Sequence, residues 1–259
     1  MPLPGTDAER WLRRFRPNAS ARVRLVCFPH AGGSASFYHP VAMAHAGAAD
    51  VVILQYPGRQ DRRREPLMRS VAEYVGRVAP VLENERPLPT VFFGHSMGAV
   101  LAFETALALA DTPAAPRAIM ASGRRAPATH RDEQVHLRDD KGLLDELRQL
   151  NGTQADLLGD EEILRMTLPA VRSDYRVIET YQAVPDRTVD CPITVLVGDD
   201  DPKTTVAEAE RWREHSTATA AFRMRTFPGG HFYLAAHQAE VNAELAATLS
   251  AVSRGPAIR

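Results

Sequence analysis

The most chemically informative stretch of this 259-residue chain is Val91-Phe92-Phe93-Gly94-His95-Ser96-Met97-Gly98-Ala99-Val100-Leu101-Ala102-Phe103. An apolar run, a serine between two glycines, and a second apolar run with alanines at helical spacing read as strand, sharp turn and helix. That is the nucleophile elbow, Gly-x-Ser-x-Gly. A serine hydroxyl is a useful nucleophile only when its Oγ is aimed out of a sheet toward a base, and Gly94 and Gly98 let the backbone crowd itself enough to do this. Ser96 is therefore the candidate nucleophile. The same turn points the Met97 amide at the helix start, where an oriented N–H holds a developing oxyanion. A serine in a Gly-rich turn is more often a local hydrogen-bonder, and here the flanking strand and helix favour the catalytic reading.

A nucleophile needs a base, and the elements around the elbow supply one. Residues Arg22 to Phe28 read as a strand buried on both faces, ending in the small-residue loop Pro29-His30-Ala31-Gly32-Gly33-Ser34. In a hydrolase of this plan that loop gives the second oxyanion donor, and Ala31 is the candidate. The pattern is helical from Phe37 to Ala46, and Val51 to Leu54 is a second buried strand. Leu67, Val71, Val75, Val78 and Leu82 repeat at helical spacing, and Ala118 to Ala121 is a further strand. Strand and helix alternate, which implies a mainly parallel sheet covered on both faces. Between Gly123 and Pro185 the alternation stops. Leu143, Leu144, Leu147 and Leu150 share a helical stripe there, and Asp160-Glu161-Glu162 opens another helix. Residues 124–185 are expected to form a helical lid over the pocket, inserted in a single domain of residues 1–259.

The alternation resumes at Ile193-Thr194-Val195-Leu196-Val197, followed by Gly198-Asp199-Asp200-Asp201-Pro202. Thr205 and Glu208 form a capping-box pair. Phe222 to Phe227 alternates as an edge-type strand and leads into Gly229-Gly230-His231-Phe232, before a last helix from about Leu234 to Val252. Serine, then a carboxylate after a late strand, then a histidine after the final strand is a known catalytic order. His231 is the candidate base, its other ring nitrogen held by a carboxylate that fixes the tautomer. Three aspartates, Asp199, Asp200 and Asp201, compete for that role.

Composition excludes more than it names. A formal charge of −1 and 44% hydrophobic residues point to no nucleic acid. No apolar run is long enough to span a bilayer and the N-terminus lacks a signal-type apolar region, so a cytoplasmic protein is expected. Cys27 and Cys191 show no disulfide or zinc spacing, and the nine histidines contain no His-Glu-x-x-His. No metal and no cofactor are expected. The run Arg59-Gln60-Asp61-Arg62-Arg63-Arg64-Glu65-Pro66 is the most charged in the chain. It reads first as a solvated loop, with a role in contacting a phosphate or an acidic partner as the sharper alternative.

Taken together, Pro29-His30-Ala31-Gly32-Gly33, Gly58-Arg59-Gln60-Asp61-Arg62 with Glu65-Pro66, Gly94-His95-Ser96-Met97-Gly98, Gly198 with Asp201-Pro202, and Gly229-Gly230-His231-Phe232 resemble the stand-alone type II thioesterases of polyketide and non-ribosomal peptide synthesis. The resemblance runs from about Trp11 to the final helix. It implies an α/β-hydrolase fold and hydrolysis of acyl groups from the phosphopantetheine arm of acyl or peptidyl carrier proteins, clearing stalled or misprimed chains. By analogy with those enzymes the catalytic set is Ser96, Asp201 and His231, with the Ala31 and Met97 amides as oxyanion donors. Phosphopantetheine then belongs to the substrate. Because the carriers are acidic in such systems, Arg59, Arg62, Arg63 and Arg64 become candidate carrier contacts. A chain opening on its own Met1, with no carrier segment ahead of it, reads as a free-standing enzyme, and a monomer is expected. The triad itself does not separate thioesters from oxygen esters, so a general carboxylesterase or lipase is the competing reading. A non-catalytic hydrolase-fold binder is the third.

Overall fold

The computed structural model describes residues 7–151 and 161–255. Its strands are β1 (Leu12–Arg13), β2 (Arg24–Phe28), β3 (Asp50–Leu54), β4 (Thr90–His95), β5 (Ala118–Ser122), β6 (Ile193–Gly198) and β7 (Arg223–Phe227). They form one sheet in the order β1-β3-β2-β4-β5-β6-β7. All neighbours pair in parallel except β1, which runs antiparallel to β3. The helices are α1 (Asp7–Trp11), α2 (His39–His45), α3 (Val71–Glu83), α4 (Met97–Ala108), α5 (Asp140–Asn151), α6 (Glu161–Glu179), α7 (Val206–Glu210), α8 (Tyr233–Ala236) and α9 (Gln238–Ser253).

Because side chains alternate along a strand, each central strand feeds two cores. Val26, Phe28, Val52, Leu54 and Phe92 face α3 and α4, whereas Leu25, Cys27, Val51, Ile53, Val91 and Phe93 face α2 and α9. This two-sided burial is the reason these strands read as unbroken apolar runs. The register then aligns the strand ends: Phe28 lies opposite Gly94, His95 opposite Ser122, Ser122 opposite Leu196, and Gly198 opposite Phe227. The loops that leave the C-terminal ends of the parallel strands β2 to β7 are thereby delivered to one edge of the sheet.

The sequence reading departs from the structure in identifiable places. β1 pairs Leu12 with Leu54 and Arg13 with Ile53, and two residues are too short a run to carry a strand signal. Leu67 shares the periodicity of α3 but lies outside it, because the Ser70 Oγ accepts the Glu73 N–H at 3.1 Å and starts the helix there. The expected last helix is two helices. His237 between them has a non-helical backbone (φ −105, ψ 36), and its ring bridges the Pro228 carbonyl at 3.0 Å and the Glu240 carboxylate at 2.9 Å. The Thr205 and Glu208 capping box stands as read.

The charged run 59–66 requires a correction. Arg59 and Arg62 are only 5% and 3% exposed, so neither is available to a carrier protein. Arg59 pairs with the buried Asp174 and donates to the Pro57 carbonyl at 2.7 Å. Arg62 reaches the Gln55 carbonyl and Glu65, each at 2.6 Å, and its guanidinium covers the Trp11 ring. Their stems and charges are consumed inside the fold, and only Arg63 and Arg64 remain exposed.

Between β5 and β6 the described residues hold α5 and α6 and no strand of the sheet. Asp160, expected to open α6, lies outside the described residues. The inserted helices have a small core of their own: Val135, Leu143, Leu144, Leu150, Leu168, Val171 and Tyr175 cluster together, with Ala31 and Phe232 of the sheet-edge loops packed against them.

Candidate active site

Ser96 sits where β4 turns into α4, with φ 55 and ψ −119. A non-glycine residue in this region costs on the order of 1–3 kcal/mol and persists only where its surroundings over-determine it. They do so here. The Ser96 N–H donates to the Ser122 carbonyl at 2.8 Å, and the Ser96 carbonyl accepts the Ala99 N–H at 3.0 Å. A Cβ on Gly94 would run into the Gly98 carbonyl, and one on Gly98 into the Phe28 carbonyl. The two glycines of the motif are thus fixed by backbone crossing backbone. Met97 is the first residue of α4, so its N–H has no intrahelical acceptor and faces the turn.

His231 and Asp201, expected to be partners, lie together. The His231 Nδ1 stands 3.0 and 2.9 Å from the two carboxylate oxygens of Asp201, and both side chains are buried. A carboxylate only accepts, so Nδ1 carries the proton and Nε2 is left as the acceptor. Asp201 is itself held by the Lys203 N–H at 2.8 Å. The other two aspartates have different surroundings. Asp199 accepts the Gly229 N–H at 2.8 Å and steadies the loop that carries His231, while Asp200 is exposed.

The loop after β2 is tied to the insertion. Asp174 of α6 accepts the Gly32 N–H at 2.8 Å with one oxygen and the Tyr74 hydroxyl at 2.9 Å with the other, and it pairs with Arg59. The Gly33 N–H is engaged by the His30 carbonyl at 2.9 Å. Ala31 precedes these anchored amides. Sequence reading missed Asp174, because a lone acid on a helix face carries no sign of a partner 142 positions away.

Ser96, Ala31 and His231 line one cleft, together with Leu147, Leu150 and Lys203. Its free volume of about 40 Å³ has room for a few waters. Leu147 and Leu150 of the predicted stripe line the cleft, and Leu150 also shares the core of the insertion with Leu143 and Leu144. Two more histidines stand beside His231. Burial, ahead of the charges of His231 and Arg59, holds His30 down to about 3. Burial also depresses His95, followed by repulsion from His231 and His30. Both stay neutral, so no neighbouring imidazolium opposes charge appearing on His231. The cleft also contains Arg124, Glu133 and Glu179, charges that sequence reading did not place there.

A serine on a strained elbow, a histidine with its tautomer fixed by a buried carboxylate, and amides at a helix start and an anchored loop form a constellation for acyl transfer. Comparison with known proteins agrees. The chain is 58% identical over 250 residues to a Streptomyces griseus protein described as "Probable cadicidin biosynthesis thioesterase", covering 96% of this chain and 69% of that one. It is 45% identical over 232 residues to thioesterase PikA5 of Streptomyces venezuelae, covering 88% of this chain and 81% of the relative. Among solved structures it resembles the type II thioesterase BorB from the borrelidin biosynthetic cluster, with a TM-score of 0.84 and 42% identity over 95% of this chain and 98% of that one. A model of the thioesterase domain matches residues 23–249, and the chain belongs to that family.

Proposed function

We propose that this thioesterase hydrolyses acyl groups from the phosphopantetheine arm of acyl or peptidyl carrier proteins in polyketide or non-ribosomal peptide assembly, removing aberrant or stalled chains. The bond from the His231 Nδ1–H to Asp201, behind the cleft that His231 and Ser96 line, is the observation that carries the reading. Three of the relatives and neighbours described above are named as thioesterases, which supports a thioester in place of an oxygen ester.

In this reading His231 Nε2 takes the Ser96 hydroxyl proton as Oγ adds to the thioester carbonyl, and the Ala31 and Met97 N–H groups hold the resulting oxyanion. Collapse breaks the carbon–sulfur bond. The pantetheine sulfur takes the proton from His231 Nε2 as it leaves, which frees the ring to act again as base; a thiol, with a pKa of about 8.5 in cysteine, departs easily. Water then gives a proton to His231 and its oxygen to the acyl carbon, which releases the acid and restores Ser96. Asp201 remains ionised and keeps the ring in the tautomer each step needs.

Intact-mass measurement of a panel of acyl-loaded carrier proteins tests this. The wild type should return the bare phosphopantetheine carrier, and Ser96→Ala should leave the acyl mass in place. Unchanged acyl carriers alongside rapid cleavage of simple oxygen esters would refute the assignment.

A further inference from the structure

Arg124 follows β5 by two residues, so the sheet register delivers it to the same edge as Ser96 and His231. It is 8% exposed and lines the cleft beside Glu133 and Glu179. Both carboxylates are already engaged. Glu133 pairs with Arg125 at 2.5 Å and Lys203 at 3.0 Å, and Glu179 accepts the Val135 and His136 N–H groups at 3.0 and 3.1 Å and meets the His136 ring at 2.5 Å. Behind them Glu146 is matched by Lys203 and by Arg138. Among the described residues, the Arg124 guanidinium makes no hydrogen bond or ion pair. A buried cation without a hydrogen-bonded partner is costly, and this one lines the cleft with Ser96 and His231, attracted at longer range by Glu133 and Glu179. Burial, then the adjacent Arg125, holds it down to about 9, so it remains cationic near neutrality.

We propose that Arg124 is a specificity-determining residue of the acyl subsite, receiving a carboxylate, or a comparable oxygen acceptor, carried a few carbons from the thioester carbonyl. The proposal rests on the thioesterase reading above and adds the chemical class of the acyl group. The phosphate of the pantetheine arm is the other anion a substrate brings. It is separated from the sulfur by the whole cysteamine, β-alanine and pantoate chain, so it lies outside a cleft this small, whereas the end of a short acyl group stays inside. A guanidinium forks onto a carboxylate with two parallel N–H bonds, and a neutral alkyl end leaves it unpaired.

The test compares succinyl and butyryl groups, which have equal carbon counts, on one carrier protein. In Arg124→Gln the succinyl-to-butyryl ratio of kcat/KM should fall roughly 10- to 100-fold below wild type, the range for losing a charged hydrogen bond. Arg124→Lys, which keeps the charge and loses the fork, should fall between the two, and it serves in place of the Gln variant if that one does not fold. An unchanged ratio in both variants overturns the subsite. So does an effect that follows the phosphate, seen as a loss on butyryl-phosphopantetheine that is absent on butyryl-pantetheine. If the wild type releases neither acyl group from the carrier, the thioesterase reading fails and the subsite fails with it.

Discussion

Asp174, on α6, accepts the Gly32 N–H at 2.8 Å, so a helix of the insertion holds the backbone one residue past the proposed oxyanion donor Ala31. Asp174→Asn would leave the buried Arg59 without its counter-charge. Removing one partner of such a pair costs about 3–5 kcal/mol, and the loosened loop should lower kcat more than it raises KM, because an oxyanion donor acts in the transition state. Denaturant unfolding together with steady-state kinetics checks both. Wild-type stability with wild-type kcat would show that the clasp positions nothing.

The acidic triplet separates by contact. Asp201→Asn should reduce turnover on the order of 10⁴-fold, the reference for losing control of a catalytic histidine's tautomer. Asp199→Asn, which keeps an oxygen for the Gly229 N–H, and Asp200→Asn at the surface should each change it little. Parallel kinetics of the three variants decide the matter, and equal mild losses would remove Asp201 from the role.

Leu147 and Leu150 line the cleft, so enlarging either to Phe should shorten the longest acyl chain accepted. Discrimination of about 1–3 kcal/mol per misfitted methylene is expected in kcat/KM. Leu143→Ala, in the core of the insertion, should instead cost about 2–5 kcal/mol of stability. A loss uniform across chain lengths in the Phe variants would mean that these leucines only pack.

Of the four arginines proposed to meet an acidic carrier, Arg59 and Arg62 are buried and only Arg63 and Arg64 are exposed. Reversing both to Glu should slow association with the carrier while leaving hydrolysis of a small thiol ester intact. The effect should shrink as salt screens exposed charges over about 8–10 Å. Stopped-flow association at two ionic strengths measures it, and a rate indifferent to both charge and salt would exclude this surface.

Acid should destabilise the protein through His95, which is wholly buried and whose pKa burial depresses well below the ordinary value. Below about pH 6.5 the unfolded chain takes up a proton that the folded chain refuses, so unfolding free energy falls with pH by up to about 1.4 kcal/mol per unit for this group. His30, His45 and His215 are shifted the same way, so the readout is the difference between wild type and His95→Gln. Between pH 6.5 and about 5, above the ordinary carboxylate range, the variant should show the shallower slope in denaturant titrations. Equal slopes would contradict the assignment.

Local chemistry made the sheet and the elbow legible. Runs such as Val51 to Leu54 are apolar because both faces of each central strand are buried, and Gly94 and Gly98 are glycines because backbone fills the place of a side chain. These constraints act between near neighbours, so one sequence records them. The choice among Asp199, Asp200 and Asp201 was of another kind. Their surroundings in sequence are nearly the same, and only the approach of the loop after β7 brings a histidine to one of them. The charged run 59–66 misled for the same reason. Arginine is ordinarily a surface residue, and it took Asp174 from a distant helix and Trp11 from the chain start to bury Arg59 and Arg62. Arg124 is the extreme case. Its burial is decided by several separate segments, and its lack of a hydrogen-bonded partner exists only where they meet. Residue types and short spacings determined the fold and the nucleophile of this protein. Long-range packing decided which charges enter the cleft, because burial and pairing depend on groups that sequence order keeps far apart.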